Sequence, residues 1–395
     1  MKQYGELKPA EKILMGPGPS NVDPRVLASM AKPILGHLDP DYLEIMNETM
    51  ELLRYVFQTK NQLTMAMPGT GSSGMETVLT NLLEEGDKIV VCINGVFGGR
   101  MLDICQRIKA DVTTVEAPWG RIIEPEQVEE ALKQSGAKFV AIVHAETSTG
   151  VLQPLDEISA ICKKYDALLL VDCVTSLAGC EVKIDEWGID AAYSGTQKCI
   201  SCPPGLAPVT FNEKAQKIIN NRKSKVPVWY LDLTMIQNYW SQERFYHHTA
   251  PINMTYALRE ALRLIYEEGL EARFQRHELH SKALKTGLEA MGMKMWAQEG
   301  HRLPMLTTVT IPEGVEDVPV RKYLLNKYNI EIGGGLGEGK GKVWRIGTMG
   351  YTCNRKNVLL ILTALEDALK AQGYKVENGI GAATAMEIYK NNQAE

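Results

Sequence analysis

Ala167-Leu168-Leu169-Leu170-Val171-Asp172 reads as five apolar residues closed by a carboxylate. A run this short, apolar on both sides of the pleat, marks a strand covered on two faces, as in a parallel sheet. Lys138-Phe139-Val140-Ala141-Ile142-Val143-His144 repeats the pattern upstream. Working outward, strands are read at 88–93 and 111–116 as well, with helices near 99–109, 125–134 and 154–165. Strands alternating with helices predict a mostly parallel α/β sheet, whose ligands gather at the carboxyl ends of the strands. Asp172 stands at such an end, and Thr147 and Ser148 lie in the turn after the strand that closes with His144. A carboxylate there costs stability unless a cation or a hydrogen-bond donor meets it.

The candidate partner lies 26 residues on, in Tyr193-Ser194-Gly195-Thr196-Gln197-Lys198-Cys199-Ile200-Ser201-Cys202-Pro203-Pro204-Gly205. One lysine sits among small, hydroxylated and amide side chains before a Pro-Pro-Gly stop that neither a helix nor a central strand runs through. No second cation and no helical period stands near Lys198. Partial burial of such an ammonium lowers its pKa and makes it a Schiff-base nucleophile of the kind that carries pyridoxal phosphate. A lysine capping a turn, or a structural ion pair with Asp172, is the alternative reading of the same residues.

A second motif is Met67-Pro68-Gly69-Thr70-Gly71-Ser72-Ser73-Gly74-Met75-Glu76, followed by Met75, Val78, Leu79, Leu82 and Leu83 at helical spacing and by Gly86 as the expected stop. A Gly/Ser/Thr turn at a helix start offers free N–H groups, hydroxyls and the positive end of the helix dipole, which together can cradle a phosphate. It is neither a P-loop nor a dinucleotide fingerprint, and an ordinary N-cap is its plainer reading. Residues 13–24, ILMGPGPSNVDP, exclude regular structure and bring bare backbone close to a neighbour. His37 precedes a helix read over 42–57, and long helices are read at 253–268 and 271–292. A smaller α+β part follows, with strands near 294–298, 306–311, 330–333 and 343–347 and a helix at 354–371. Arg345 sits in the last of those strands, where a guanidinium can grip a carboxylate through two parallel hydrogen bonds.

The 395 residues divide into an N-terminal arm over 1–20, a large α/β domain over 21–255, a small α+β domain over 256–373 and a peripheral tail over 374–395. A net charge of −5 without a basic cluster argues against nucleic acid or an anionic membrane as a partner. Eight scattered cysteines, and no second pair at zinc spacing beside Cys199 and Cys202, point away from a metal site. His247 and His248, adjacent in the chain, are read as structural or interfacial. No signal-peptide or membrane-length apolar run is read, so a reducing cytoplasmic compartment is the expectation.

Taken in order, these parts resemble the class V aminotransferases, and within them the alanine:glyoxylate and serine:pyruvate group, over roughly residues 13–370. The resemblance is carried by Gly16-Pro17-Gly18-Pro19-Ser20-Asn21, Gly195-Thr196-Gln197-Lys198-Cys199 with Pro203-Pro204-Gly205, Tyr246-His247-His248-Thr249 and Arg345-Ile346-Gly347. It implies a fold-type I transferase that uses pyridoxal 5'-phosphate to move amino groups between small amino acids and 2-oxo acids by ping-pong chemistry. By the same resemblance Lys198 forms the Schiff base and shuttles the proton, and Asp172 pairs with the pyridinium nitrogen. Thr70, Gly71, Ser72 and Gln197 bind the phosphate, joined by Tyr246 and Thr249 from the second subunit of a homodimer. Thr147 lies beside the ring oxygen, and Phe97 stacks on the ring, where this group often carries tryptophan. Arg345 binds the substrate carboxylate, with Gly18 and His37 at the mouth. Met46-Asn47-Glu48-Thr49-Met50, Gly179-Cys180-Glu181-Val182-Lys183 and Arg345-Ile346-Gly347-Thr348-Met349-Gly350 look closer to the (S)-ureidoglycine:glyoxylate aminotransferases. That subgroup tends to hold amides where this chain has His37 and Tyr246, so alanine or serine is the expected donor and glyoxylate the acceptor. A desulfurase-type lyase would need a mobile cysteine loop and usually a histidine where Phe97 stands. A regulator that binds the cofactor without turnover would need a basic DNA-binding module that the chain does not show.

Overall fold

The computed structural model describes residues 4–241 and 243–392. Its main sheet has seven strands, ordered edge to edge Leu63–Pro68, Leu206–Phe211, Ala191–Tyr193, Leu168–Asp172, Phe139–Val143, Lys88–Ile93 and Asp111–Glu116. Leu206–Phe211 runs antiparallel to both neighbours, and the other pairings are parallel. Phe139–Val143 and Leu168–Asp172 are buried at every residue, which is why their sequences are apolar without alternation. Helices Val96–Ile108, Pro125–Ser135 and Asp156–Lys164 supply crossovers between the parallel strands. The register sets Val143 opposite Asp172 and Asp172 opposite Tyr193. Three neighbouring strands thus end side by side, and the cleft forms at that edge.

A second, antiparallel sheet orders Leu306–Thr310, Val343–Gly347 and Gly333–Gly334, placing Arg345 between Thr308 and Gly333. Its core draws on helices Leu270–Ala290, Asp317–Tyr328, Arg355–Lys370 and Ile380–Asn391. Met15 is buried in this core, and Ile13–Leu14 pairs in parallel with Ile330–Glu331. The segment beyond Gly373, read from sequence as peripheral, forms the Ile380–Asn391 helix and buries Ala385 and Tyr389 in the same core. Apolar residues of the Ile252–Glu268 helix belong to the larger core instead. The domain limits drawn from sequence stand as a proposal beside these packing facts.

Three strands differ from the sequence expectation. Leu63–Pro68 is fully buried and pairs with Leu206–Phe211 over six residues, although Met67 and Pro68 read as part of the glycine turn. Pro208 lies inside a strand because the ladder to Ala191–Tyr193 covers only Val209 to Phe211, so no N–H is demanded of it on that side. The strand expected at 294–298 reduces to a bridge between Met295 and Val309. The helix after the glycine turn spans Gly71–Leu82, and Gly86, at φ +84°, serves the turn beyond it. Among the described residues, no helix is long and apolar enough to cross a membrane.

Candidate active site

The cleft at the strand ends brings together Thr70, Gly71, Ser72, Phe97, Thr147, Asp172, Gln197 and Lys198. Asp172 is 4% exposed. Its Oδ1 accepts the Val174 N–H at 2.8 Å and its Oδ2 accepts the Tyr193 hydroxyl at 2.8 Å. Burial pushes its carboxyl up to about 6, against the pull of those two donors and of Lys198.

Lys198 is buried, and its Nζ donates to the Pro17 carbonyl. Burial, and then the Arg345 guanidinium, push the ammonium down to about 8. The loop that carries it is pinned from several sides. Ser20 Oγ and the Ser201 N–H both donate to the Lys198 carbonyl, and Arg273, itself buried, donates to the Cys199 carbonyl. The backbone of Gly18 runs directly beside the amine, since a Cβ there would lie 2.6 Å from Nζ, and its φ of +108° is glycine territory. The Gly-Pro segment therefore does what bare backbone allows, closing over the Lys198 amine.

Thr70 precedes the Gly71–Leu82 helix without capping it through its side chain, which leaves first-turn N–H groups free for an anion. Gly71 and Gly195 approach closely, because a Cβ on Gly195 would meet the Gly71 Cα at 3.2 Å. Gln197 lines the cleft with its Oε1 buried and unpartnered within the chain, and it serves a phosphate only through its amide N–H₂, which donates where the oxygen cannot. Phe97 lies in the first turn of the Val96–Ile108 helix, with the Arg100 guanidinium 5.0 Å from its ring centroid. Arg100 Nη1 donates to Ser72 Oγ at 3.2 Å. Arg345 is not among the residues lining the cleft, but it donates from Nε to the Gly334 carbonyl at 2.8 Å and from Nη1 to the carbonyl of the cleft residue Thr147 at 3.3 Å. Burial lowers its guanidinium to about 10.

The remaining sequence candidates are not in this cleft. His37 and Tyr246 pack on one another, ring centroids 5.0 Å apart, and Tyr246 is 59% exposed. Thr249 is exposed as well. His247 stacks on Trp229 and His248 lies edge-on to Tyr239. Among the described residues no cluster of three or more potential ligands could hold a metal ion.

Two residues escaped the sequence reading. Arg100 reaches the cradle because it follows Phe97 by three positions, on one helix face, a spacing that could have been noticed. Glu146, 0% exposed, sits in the same strand-end turn that suggested Thr147. The donor set fits pyridoxal phosphate: a buried carboxylate for a ring nitrogen, a lysine of lowered proton affinity, and a helix N-terminus with hydroxyls and an arginine for a phosphate.

A lysine and a carboxylate so placed on a parallel sheet of this order define a fold-type I enzyme of pyridoxal phosphate chemistry. The family model "Aminotransferase class-V" matches residues 14–340. The (S)-ureidoglycine–glyoxylate transaminase of Bacillus subtilis is 43% identical, over 96% of each chain. The alanine–glyoxylate aminotransferase of Drosophila melanogaster is 42% identical over 91% of this chain and 93% of its own. Among solved structures, the B. subtilis ureidoglycine–glyoxylate aminotransferase superposes with a TM-score of 0.96 at 44% identity, covering 98% of this chain and 100% of that one. An alanine–glyoxylate aminotransferase from Nostoc sp. gives 0.92 at 46%, covering 93% and 98%. The chain belongs to the class V aminotransferases, whose cofactor is pyridoxal 5'-phosphate.

Proposed function

We propose that the chain transfers the amino group of L-alanine or L-serine to glyoxylate, giving pyruvate or hydroxypyruvate and glycine. When bound, the cofactor supplies the electron sink for charge left at the substrate's alpha carbon. Lys198 is the residue that holds it and that carries the proton to and from that carbon. Its amine is suited to the task because it stands near 8, where both protonation states are accessible close to neutral pH. Asp172, fixed by Val174 and Tyr193, keeps the ring nitrogen protonated. Thr70, Gly71, Ser72 and Gln197 would take the phosphate, Phe97 would cover the ring, and Thr147 would lie beside the ring oxygen. Arg345 would take the substrate carboxylate beside Gly18, whereas His37, given to the mouth by the resemblance, lies outside the cleft of its own chain.

The choice of donor is supported by His37 and Tyr246, which pack ring to ring outside the cleft of their own chain and would bear on the donor only at the site of a second subunit in the homodimer proposed below. An imidazole and a phenol cannot offer a ureido group the paired donors and acceptors that two amides would. A buried polar group left unpaired costs about 1–3 kcal/mol. The ureidoglycine reading stands second, on the full-length likeness to the B. subtilis enzyme. Measuring glycine formed from glyoxylate with alanine, serine or fresh ureidoglycine as donor tests the choice, and glycine formed with ureidoglycine alone overturns it.

A homodimer with shared sites is part of the same proposal. It is supported by the exposure of Trp229 at 58%, Phe245 at 64% and Tyr246 at 59% around the Tyr246–Thr249 segment. Mixing an inactive Lys198→Ala protein with an inactive Thr249→Ala/Tyr246→Phe protein is expected to restore part of the activity; no recovery after subunit exchange would count against shared sites. A reducing cytoplasmic setting is supported by the eight unpaired cysteines.

A further inference from the structure

The Val96–Ile108 helix starts at Gly95, which has no side chain to cap it. Its first N–H groups need acceptors nonetheless. They find them about fifty residues further along the chain. Glu146 Oε2 accepts the Phe97 N–H at 3.0 Å, and Ser148 Oγ accepts the Val96 N–H at 3.0 Å. Ser148 is in turn tied to the same carboxylate, donating from Oγ at 2.6 Å and from its N–H at 3.0 Å to Oε1. The fit leaves no room for a side chain on the helix side, since a Cβ on Gly95 would lie 2.4 Å from Cγ and Cδ of Glu146. Gly98 is held as tightly from below, with a Cβ there 2.6 Å from the Cys92 carbonyl oxygen.

An exposed Asn, Asp or Ser at the cap position is the common solution to this need. Here a wholly buried carboxylate is used, and burial raises its pKa while backbone N–H groups favour the anion. Its neighbour in sequence explains what that placement gains. The Thr147 carbonyl accepts from Arg345, so consecutive residues of one turn hold the helix start on one side and the guanidinium on the other.

We propose that Glu146, with Ser148 as its relay, is a positioning residue that sets the turn carrying Phe97 and Arg100 against the cofactor ring and the phosphate cradle. This rests on the reading of Phe97 as the residue that covers the ring. Glu146→Gln keeps the side-chain length but turns one end into an N–H₂ group facing an N–H or O–H donor. Ser148→Ala leaves the carboxylate and frees the Val96 N–H.

The test is a double-mutant cycle on the full-length protein, reading the dissociation constant of pyridoxal phosphate and the visible circular dichroism of the bound cofactor. The melting midpoint of the stripped protein is measured alongside. In the wild-type background Glu146→Gln is expected to weaken cofactor binding about tenfold or more and to diminish the visible dichroism; in a Phe97→Ala background the same change is expected to cost less than about twofold. Ser148→Ala should act in the same direction and more weakly, and it replaces Glu146→Gln in the cycle if that protein does not fold. Equal losses in both backgrounds would make Glu146 a purely structural residue and overturn the proposal, as would unchanged binding in Glu146→Gln. If Phe97→Ala alone binds the cofactor as the wild type does, the reading of Phe97 fails first and the proposal falls with it.

Discussion

Asp172→Asn is expected to make the cofactor-stripped protein more stable while disabling it as an enzyme. The wild-type carboxyl is raised from its ordinary 3.8 to about 6, chiefly by burial. Because its folded pKa lies above the unfolded one, the native state binds more protons between those values, and stability falls as pH rises through that window. Above it the whole displacement, on the order of 3 kcal/mol, opposes folding. Asparagine removes the charge and keeps the geometry, since its oxygen can accept from Val174 and its amide can donate to the Tyr193 oxygen. For a domain of this size about 3 kcal/mol corresponds to a melting midpoint higher by roughly 6–12 °C. Calorimetry of stripped wild type and variant near pH 7.5, repeated near pH 4, reads the effect. The gain should be present at the higher pH and shrink at the lower. A variant no more stable than wild type near neutrality, or a gain independent of pH, would refute the account of Asp172 as a buried charge waiting for a cationic partner. With cofactor present the order should reverse, because the neutral amide cannot hold the ring nitrogen in its charged form, and turnover should drop by about a hundredfold or more.

Lys198→Ala should abolish turnover and remove the covalent absorbance band, checked by visible spectra after gel filtration. The rate at which stripped enzyme captures pyridoxal phosphate should rise with pH and level off above about 8, as the Lys198 ammonium loses its proton; a rise continuing through the range of ordinary lysines would contradict its assigned burial. If Arg345 grips the substrate carboxylate as proposed, Arg345→Lys loses the two-pronged contact and should raise KM for donors about tenfold to a hundredfold with a smaller change in kcat, read from steady-state kinetics. Gly18→Ala forces a side chain against the Lys198 amine at a backbone angle alanine avoids, so kcat should fall by about a hundredfold or more and the strain should also lower the melting midpoint by several degrees, read from steady-state kinetics and calorimetry.

The parallel core of the fold was legible because burial on both faces leaves only apolar residues in a strand, as in Leu168–Asp172. Leu63–Pro68 and Leu206–Phe211 were not, since what makes them strands is their six-residue pairing with each other, a non-local fact, and each contains a proline that argues locally against it. In the site, Asp172 and Lys198 were readable from odd placement: a charge ending an apolar run, and a lone cation in a small-residue loop. Glu146 was not, because an acidic residue in a polar turn looks solvated until the sheet and the Val96–Ile108 helix close over it. Tyr246 and Thr249 stand outside the cleft of their own chain. Their assignment therefore came from family likeness and could not have come from the residues' surroundings.

The central claim is the transfer of an amino group from alanine or serine to glyoxylate through the site built on Lys198. It is tested most directly by a half-reaction scan, following the visible cofactor band of the loaded enzyme with alanine, serine, aspartate and freshly generated ureidoglycine, and then its return with glyoxylate or pyruvate. Fast bleaching by alanine or serine and recovery with glyoxylate is the predicted result. Bleaching by ureidoglycine alone would contradict it, and would mean that likeness across the whole scaffold outweighs His37 and Tyr246 in setting the donor.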